Sequence, residues 1–130
     1  MESYSRGVIA SPETSDADKW TVEFNVDRRG HSPVAAFIEQ VPNRQQAIIA
    51  HYLKLLQEFG PDLAMPQARH IEGKLWELRP NAYRLVYVLP DGQRCVLLHA
   101  YRNQSQETAR KEIDRALMRM RGLMRHDWED

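Results

Sequence analysis

Residues 74–102 read KLWELRPNAYRLVYVLPDGQRCVLLHAYR. β-Branched, aromatic and aliphatic residues dominate this stretch and turn residues interrupt it twice, so it predicts three successive strands over 75–79, 83–89 and 94–102. Pro80-Asn81-Ala82 removes a backbone donor and supplies a residue that tolerates turn geometry. Pro90-Asp91-Gly92-Gln93 contains the Asp-Gly pair of a tight hairpin. Three strands joined this way form an antiparallel meander.

Side chains alternate across a strand, and both faces of this meander come out largely apolar. Leu75, Glu77 and Arg79 oppose Trp76 and Leu78. Arg84, Val86 and Val88 oppose Tyr83, Leu85, Tyr87 and Leu89. Strict alternation groups Val96, Leu98, Ala100 and Arg102 against Cys95, Leu97, His99 and Tyr101. Something must therefore cover each face. Glu77, Arg79, Arg84, His99 and Arg102 are costly inside such a sheet unless paired or exposed at a mouth. Two readings stand: an internal ion pair of Glu77 with Arg79 or Arg84 beside a satisfied core histidine, or a concave cationic site.

The flanking sequence supplies the covers. Trp20, Val22, Phe24 and Val26 alternate with polar residues, which predicts a half-buried strand over 20–26. Ser32 is a natural N-cap and Pro33 a natural first helical residue for a short helix carrying Val34, Phe37, Ile38 and Val41. Asn43 and Gln46 have the spacing of a capping box for a second helix over 44–59, which Gly60-Pro61 stops. These two helices predict an antiparallel hairpin over one sheet face. Residues 61–67 read as a loop, and 68–71 as the start of a strand that Glu72-Gly73 interrupts. Thr108 is placed to cap a last helix over 109–123, whose apolar stripe of Ala109, Ile113, Ala116, Leu117, Met120 and Met124 covers the second face or a partner.

The expected organisation is a flexible tail over 1–19, one domain over 20–125 and an acidic tail over 126–130. With 130 residues, 42% of them hydrophobic, the chain suffices for one core. One cysteine, Cys95, excludes an internal disulfide framework, and its apolar strand marks it as buried and inert. No apolar run approaches a membrane span or signal-peptide core, so a cytoplasmic protein that does not engage membranes is expected. His31, His51 and His70 lack ligand spacing, and neither a metal site nor a cofactor motif is expected. Net charge is zero, with 18 basic and 18 acidic residues, yet residues 69–125 hold twelve basic against six acidic. Such segregation suits a polyanion, although a solvated helix face accounts for much of it.

Leu75-Trp76-Glu77-Leu78-Arg79, Tyr83-Arg84-Leu85-Val86-Tyr87 and Val96-Leu97-Leu98-His99-Ala100-Tyr101, followed by a polar linker and a helix with Glu112-Ile113 and Ala116, together resemble the RelE/ParE toxin superfamily. Within it they are most similar to the HigB-like, phage-derived branch. The resemblance spans residues 20–124. It implies an α+β, RelE-like fold of the microbial-RNase type: an antiparallel-rich sheet in the order β-α-α-β-β-β-α, with a helical hairpin on one face and a C-terminal helix. It further implies a type II toxin that inhibits translation as an mRNA interferase on the ribosome, without a metal. A cognate helix-turn-helix, HigA-like antitoxin would restrain it, and operator DNA would be bound only through the antitoxin complex.

Cleavage of RNA through its own 2′-hydroxyl needs a base, cations for the phosphorane and an acid for the departing 5′ oxygen. Arginine forks suit the middle task, and Arg79 and Arg84 match the family's phosphate-binding positions. His99, Tyr101 and Glu77 are the acid and base candidates. Lys74 and Arg102 are the RNA-binding candidates, Arg102 keeping one cation of the lysine pair usual after the third strand. The alternatives are a non-catalytic, ParE-like inhibitor that binds DNA gyrase, and an inactive interaction module held by ion pairs.

Overall fold

The computed structural model describes residues 8–9, 19–91 and 93–129. Its elements are β1 (Val8–Ile9), β2 (Thr21–Phe24), α1 (Pro33–Gln40), α2 (Asn43–Phe59), a 3-10 turn at Gly60–Asp62, β3 (Ala68–Glu72), β4 (Leu75–Leu78), β5 (Tyr83–Val88), β6 (Arg94–Arg102) and α3 (Gln106–Glu129). They form an α+β fold around a six-stranded sheet in the order β1-β2-β6-β5-β4-β3. Neighbours are antiparallel except β2 and β6, which run parallel, a pairing that the long connection through the α1–α2 hairpin and the meander permits. Relative to the expected order, β1 is added ahead of β2, and β3 is a full strand paired with β4. Apart from β1 and Lys19, the tail expected over 1–19 lies outside the described residues, as do Gly92 of the second turn and Asp130. The backbone of 126–129 belongs to α3.

Local chemistry sets the element ends. Ser32 Oγ accepts from the Ala35 N–H at 3.0 Å and Pro33 opens α1, as the sequence predicts. The capping box expected at Asn43 does not form. Pro42, in extended geometry, takes the cap position without a side-chain bond, so Asn43 is already helical. Gln46 instead donates to the Glu39 and Val41 carbonyls at 3.3 and 3.1 Å, groups left over where α1 ends. The last helix begins at Gln106 rather than beyond Thr108, because Ser105 is the cap and its Oγ accepts from the Thr108 N–H at 3.1 Å. Gly60 ends α2 at φ +50, and a Cβ there would lie 2.4 Å from the Trp20 ring. The same glycine thus stops the helix and lets the indole close the core.

Helices cover both sheet faces. Val34, Ile38, Ile49, Leu53 and Leu56 from α1 and α2 pack with Val22, Phe24, Leu78, Leu85, Tyr87 and Leu97. On the other side Ile113 and Ala116 of α3 pack with Leu75, Val86, Val88, Val96 and Leu98. Burying one such large apolar side chain contributes about 1.5–3 kcal/mol, several times an exposed ion pair. The apolar sandwich therefore contributes most of what holds the sheet.

One irregularity decides the faces of β6. The β5–β6 register runs Val88↔Val96 and Tyr87↔Leu97, then jumps to Val86↔His99, leaving Leu98 as an extra residue. Strict alternation places His99 and Tyr101 with Cys95 and Leu97; the bulge reverses that parity. Cys95, Leu97 and Ala100 face the helical hairpin, whereas Leu98 and Tyr101 lie under α3, with His99 opposite Val86 on that same side. The Leu98 carbonyl is taken up by Arg119 Nη1 at 3.1 Å, so α3 stabilises the bulge that it covers.

Candidate functional site

Strand register assembles the charged groups. Arg69 pairs with Glu77, Glu77 with Val86, and Val86 with His99, so one row crosses β3, β4, β5 and β6 on the α3 side. Arg84 stands directly opposite Tyr101 in the neighbouring row. Arg79 follows β4 and lies on the Glu77 side. Arg69, Glu77, Arg79, Arg84 and Tyr101 line a cleft of about 320 Å³, rimmed by residues 103–106 and the first turns of α3.

Glu77 anchors this cleft. It is 1% exposed, and its Oε2 accepts from Arg79 Nη1 at 2.7 Å and Arg69 Nε at 3.1 Å, with Arg84 Nε at 3.9 Å. A carboxylate so buried requires such partners. Three guanidinium groups around one carboxylate leave the cleft with net positive charge. Arg84 is held further by the turn: its Nη1 donates to the Asn81 and Tyr83 carbonyls at 2.8 and 2.7 Å, and Asn81 adopts φ +55 to present its own. Burial, and secondarily the Arg79 charge, lower the Arg84 pKa from its usual value while Glu77 opposes them. An arginine so placed remains cationic near neutral pH. Burial lifts the Tyr101 hydroxyl above the ordinary tyrosine range, with Glu77 adding to the effect, so it stays a proton donor at neutral pH.

The structure brings Glu77, Arg79, Arg84 and Tyr101 together and places the remaining sequence candidates elsewhere. His99 does not line the cleft. It lies buried behind Tyr101, with ring centroids 6.1 Å apart, and its nitrogens are engaged by Glu112 and Arg119 of α3. Because an arginine donates to Nδ1, the proton sits on Nε2 and is donated to the Glu112 carboxylate. Burial keeps His99 below the usual histidine pKa, against the pull of Glu112 and with the help of Arg119. Lys74 is exposed at the β3–β4 turn, at the other end of β4 from Arg79. Arg102 is exposed and pairs with Tyr83, on the opposite sheet face from Arg84. Burial pushes the Cys95 thiol up to about 12, which makes it no nucleophile.

Sequence reasoning missed Arg69, Glu112 and Arg119. A signal for Arg69 existed: folding 68–71 back on 75–79 as a hairpin places an arginine beside Glu77. Glu112 and Arg119 are thirteen and twenty residues beyond His99, across a linker and about two and four turns of α3, and nothing local marks them as its partners.

Fold and cleft together define an α+β protein with a carboxylate-anchored arginine cluster on a sheet face covered by the C-terminal helix. Residues 36–121, from within α1 to within α3, match the family described as Phage derived protein Gp49-like (DUF891). The chain belongs to this family of phage-derived, RelE-like proteins, which is associated with the toxins of toxin–antitoxin pairs. No curated protein matches the chain. Among the described residues no helix is long and apolar enough to cross a membrane.

Proposed function

We propose that this chain is the toxin of a type II toxin–antitoxin pair, of the HigB-like branch, and that it cuts mRNA engaged on the ribosome. The arginine cluster around Glu77, open to a cleft beside a protonated Tyr101, carries the reading. Arg84 and Arg79 hold the non-bridging oxygens of the scissile phosphate, with Arg69 adding charge. The 2′-hydroxyl oxygen attacks the adjacent phosphorus and its proton leaves to water. The P–O5′ bond breaks, Tyr101 protonates the departing oxygen, and a 2′,3′-cyclic phosphate remains. Glu77 fixes the guanidinium groups, and His99 acts from behind Tyr101 as a positioning residue. The ribosome supplies the orientation of the RNA. A helix-turn-helix antitoxin of the HigA-like kind restrains the toxin and carries the complex to operator DNA, in the cytoplasm.

A second reading rests on the cleft mouth. Asn103, Gln104, Ser105 and Gln106 are uncharged, and Arg102 lies on the other sheet face. A ParE-like inhibitor that binds DNA gyrase needs no phosphate contacts there. A cell-free translation reaction separates the two: wild-type protein should generate 2′,3′-cyclic phosphate ends within the translated frame, and Arg84→Ala should not. Inhibited supercoiling by gyrase with intact mRNA would favour the binding inhibitor, and neither effect would leave an inactive interaction module.

A further inference from the structure

The cations of α3 fall into two groups. Arg110 is spent on Glu72 and Asp114 at 3.0 and 2.8 Å, and Arg119 turns inward to His99 and the Leu98 carbonyl. Lys111, Arg115, Arg121 and Arg125 are all exposed. Arg115 meets only Glu112, at 3.9 Å, and the other three make no ion pair among the described residues. At 100° per residue these four fall within about a third of the helix circumference, along about 21 Å of its length. Asp114 and Glu107 share this side; the Asp114 charge is already met by Arg110, and Glu107 stands in the first turn, ahead of all four cations. Met118, 68% exposed, lies among them.

We infer that this face of α3 is a track for the phosphate backbone of single-stranded RNA, separate from the cleft. Lys111 and Arg115, and Arg121 and Arg125, are each one helical turn apart, with about 9 Å of helix between the two pairs, so each pair can meet neighbouring phosphates of one strand, and arginine is suited to them by its forked geometry. The α3 residues that border the cleft, Ala109 and Ile113, lie on the opposite side of the helix from these cations, so the track meets a part of the strand that has already passed over α3 rather than the phosphate held at Arg84. An acidic protein is the less suitable occupant. A protein interface needs an apolar centre, and Met118 alone provides little of one. The choice of RNA rests on the nuclease reading; the track itself rests on the charges.

The test uses the full chain carrying Arg84→Ala, so that no cleavage intervenes, and a fluorescein-labelled oligouridylate read by anisotropy across a salt series. Substituting Lys111, Arg115, Arg121 and Arg125 together by Gln should weaken binding and reduce the salt slope by about 0.7 per cation removed, close to 3 in all. A charge-matched control, Arg28, Arg29, Arg44 and Lys54 to Gln, should change the slope by less than 1. Equal slopes in the two variants, with circular dichroism showing both folded, would overturn the track, as would binding of polyglutamate in preference to the RNA. The nuclease reading fails separately, if wild-type protein produces no cuts while the track variant still loses its slope.

Discussion

Arg84 stands directly across from Tyr101 in the β5–β6 register, and this pairing sets the only permanently cationic side chain of β5 beside a buried phenol at the mouth of a cleft. The pairing depends on Leu98. Without that extra residue in β6, Tyr101 would face the helical hairpin and Arg84 would have no hydroxyl opposite it.

Tyr101→Phe keeps the ring and removes the proton donor. Cleavage should fall by about 10²–10⁴-fold, the usual worth of a positioned general acid. Stability should change by no more than about 1 kcal/mol, measured by urea unfolding. A variant that cuts at the wild-type rate would remove Tyr101 from the chemistry.

Glu77→Ala leaves three guanidinium groups without their shared carboxylate. Breaking a fully buried pair costs about 3–5 kcal/mol, but Arg69 and Arg79 retain 53% and 23% exposure and can turn to water. A loss of about 1–3 kcal/mol in urea unfolding is expected, and Glu77→Gln should lose less because its amide oxygen still accepts.

Stability should fall in mild acid through His99. Burial depresses its folded pKa below the unfolded value of 6.5, with Arg119 and Arg115 acting in the same direction and Glu112 against it. Between those two pKa values the unfolded chain binds the proton and the folded chain does not, so stability present above pH 6.5 is lost as pH falls through this window. Thermal melts over that range should show the decline, and His99→Gln should flatten it. An unchanged slope in the variant would assign the acid sensitivity to another group.

Gly60→Ala should destabilise the fold by about 1–3 kcal/mol, because the new Cβ overlaps the Trp20 ring and the backbone holds a positive φ. Differential scanning calorimetry measures it directly, and a neutral result would show that Trp20 can move without cost.

Much of this architecture was legible in the residues. Ser32-Pro33 opens α1, Gly60-Pro61 closes α2, Asn81 takes the left-handed turn position, and period-two patterning marks β4 to β6. These signals are local, since a cap, a turn or a strand face is specified by neighbours in sequence. The bulge at Leu98 is not local. It adds one residue to β6 with no glycine to mark it, and it alone moves His99 and Tyr101 to the α3 side. His99 illustrates the consequence: its residue type suggests proton transfer, but its role depends on Glu112 and Arg119, thirteen and twenty residues further along the chain.

The most direct test of the central claim is to induce wild-type chain and Arg84→Ala in growing cells and map messenger RNA ends. New cuts inside translated frames are expected with the wild type, and their absence with Arg84→Ala accumulating as folded protein. Growth arrest without cuts, or cuts that persist in the folded Arg84→Ala variant, would contradict it.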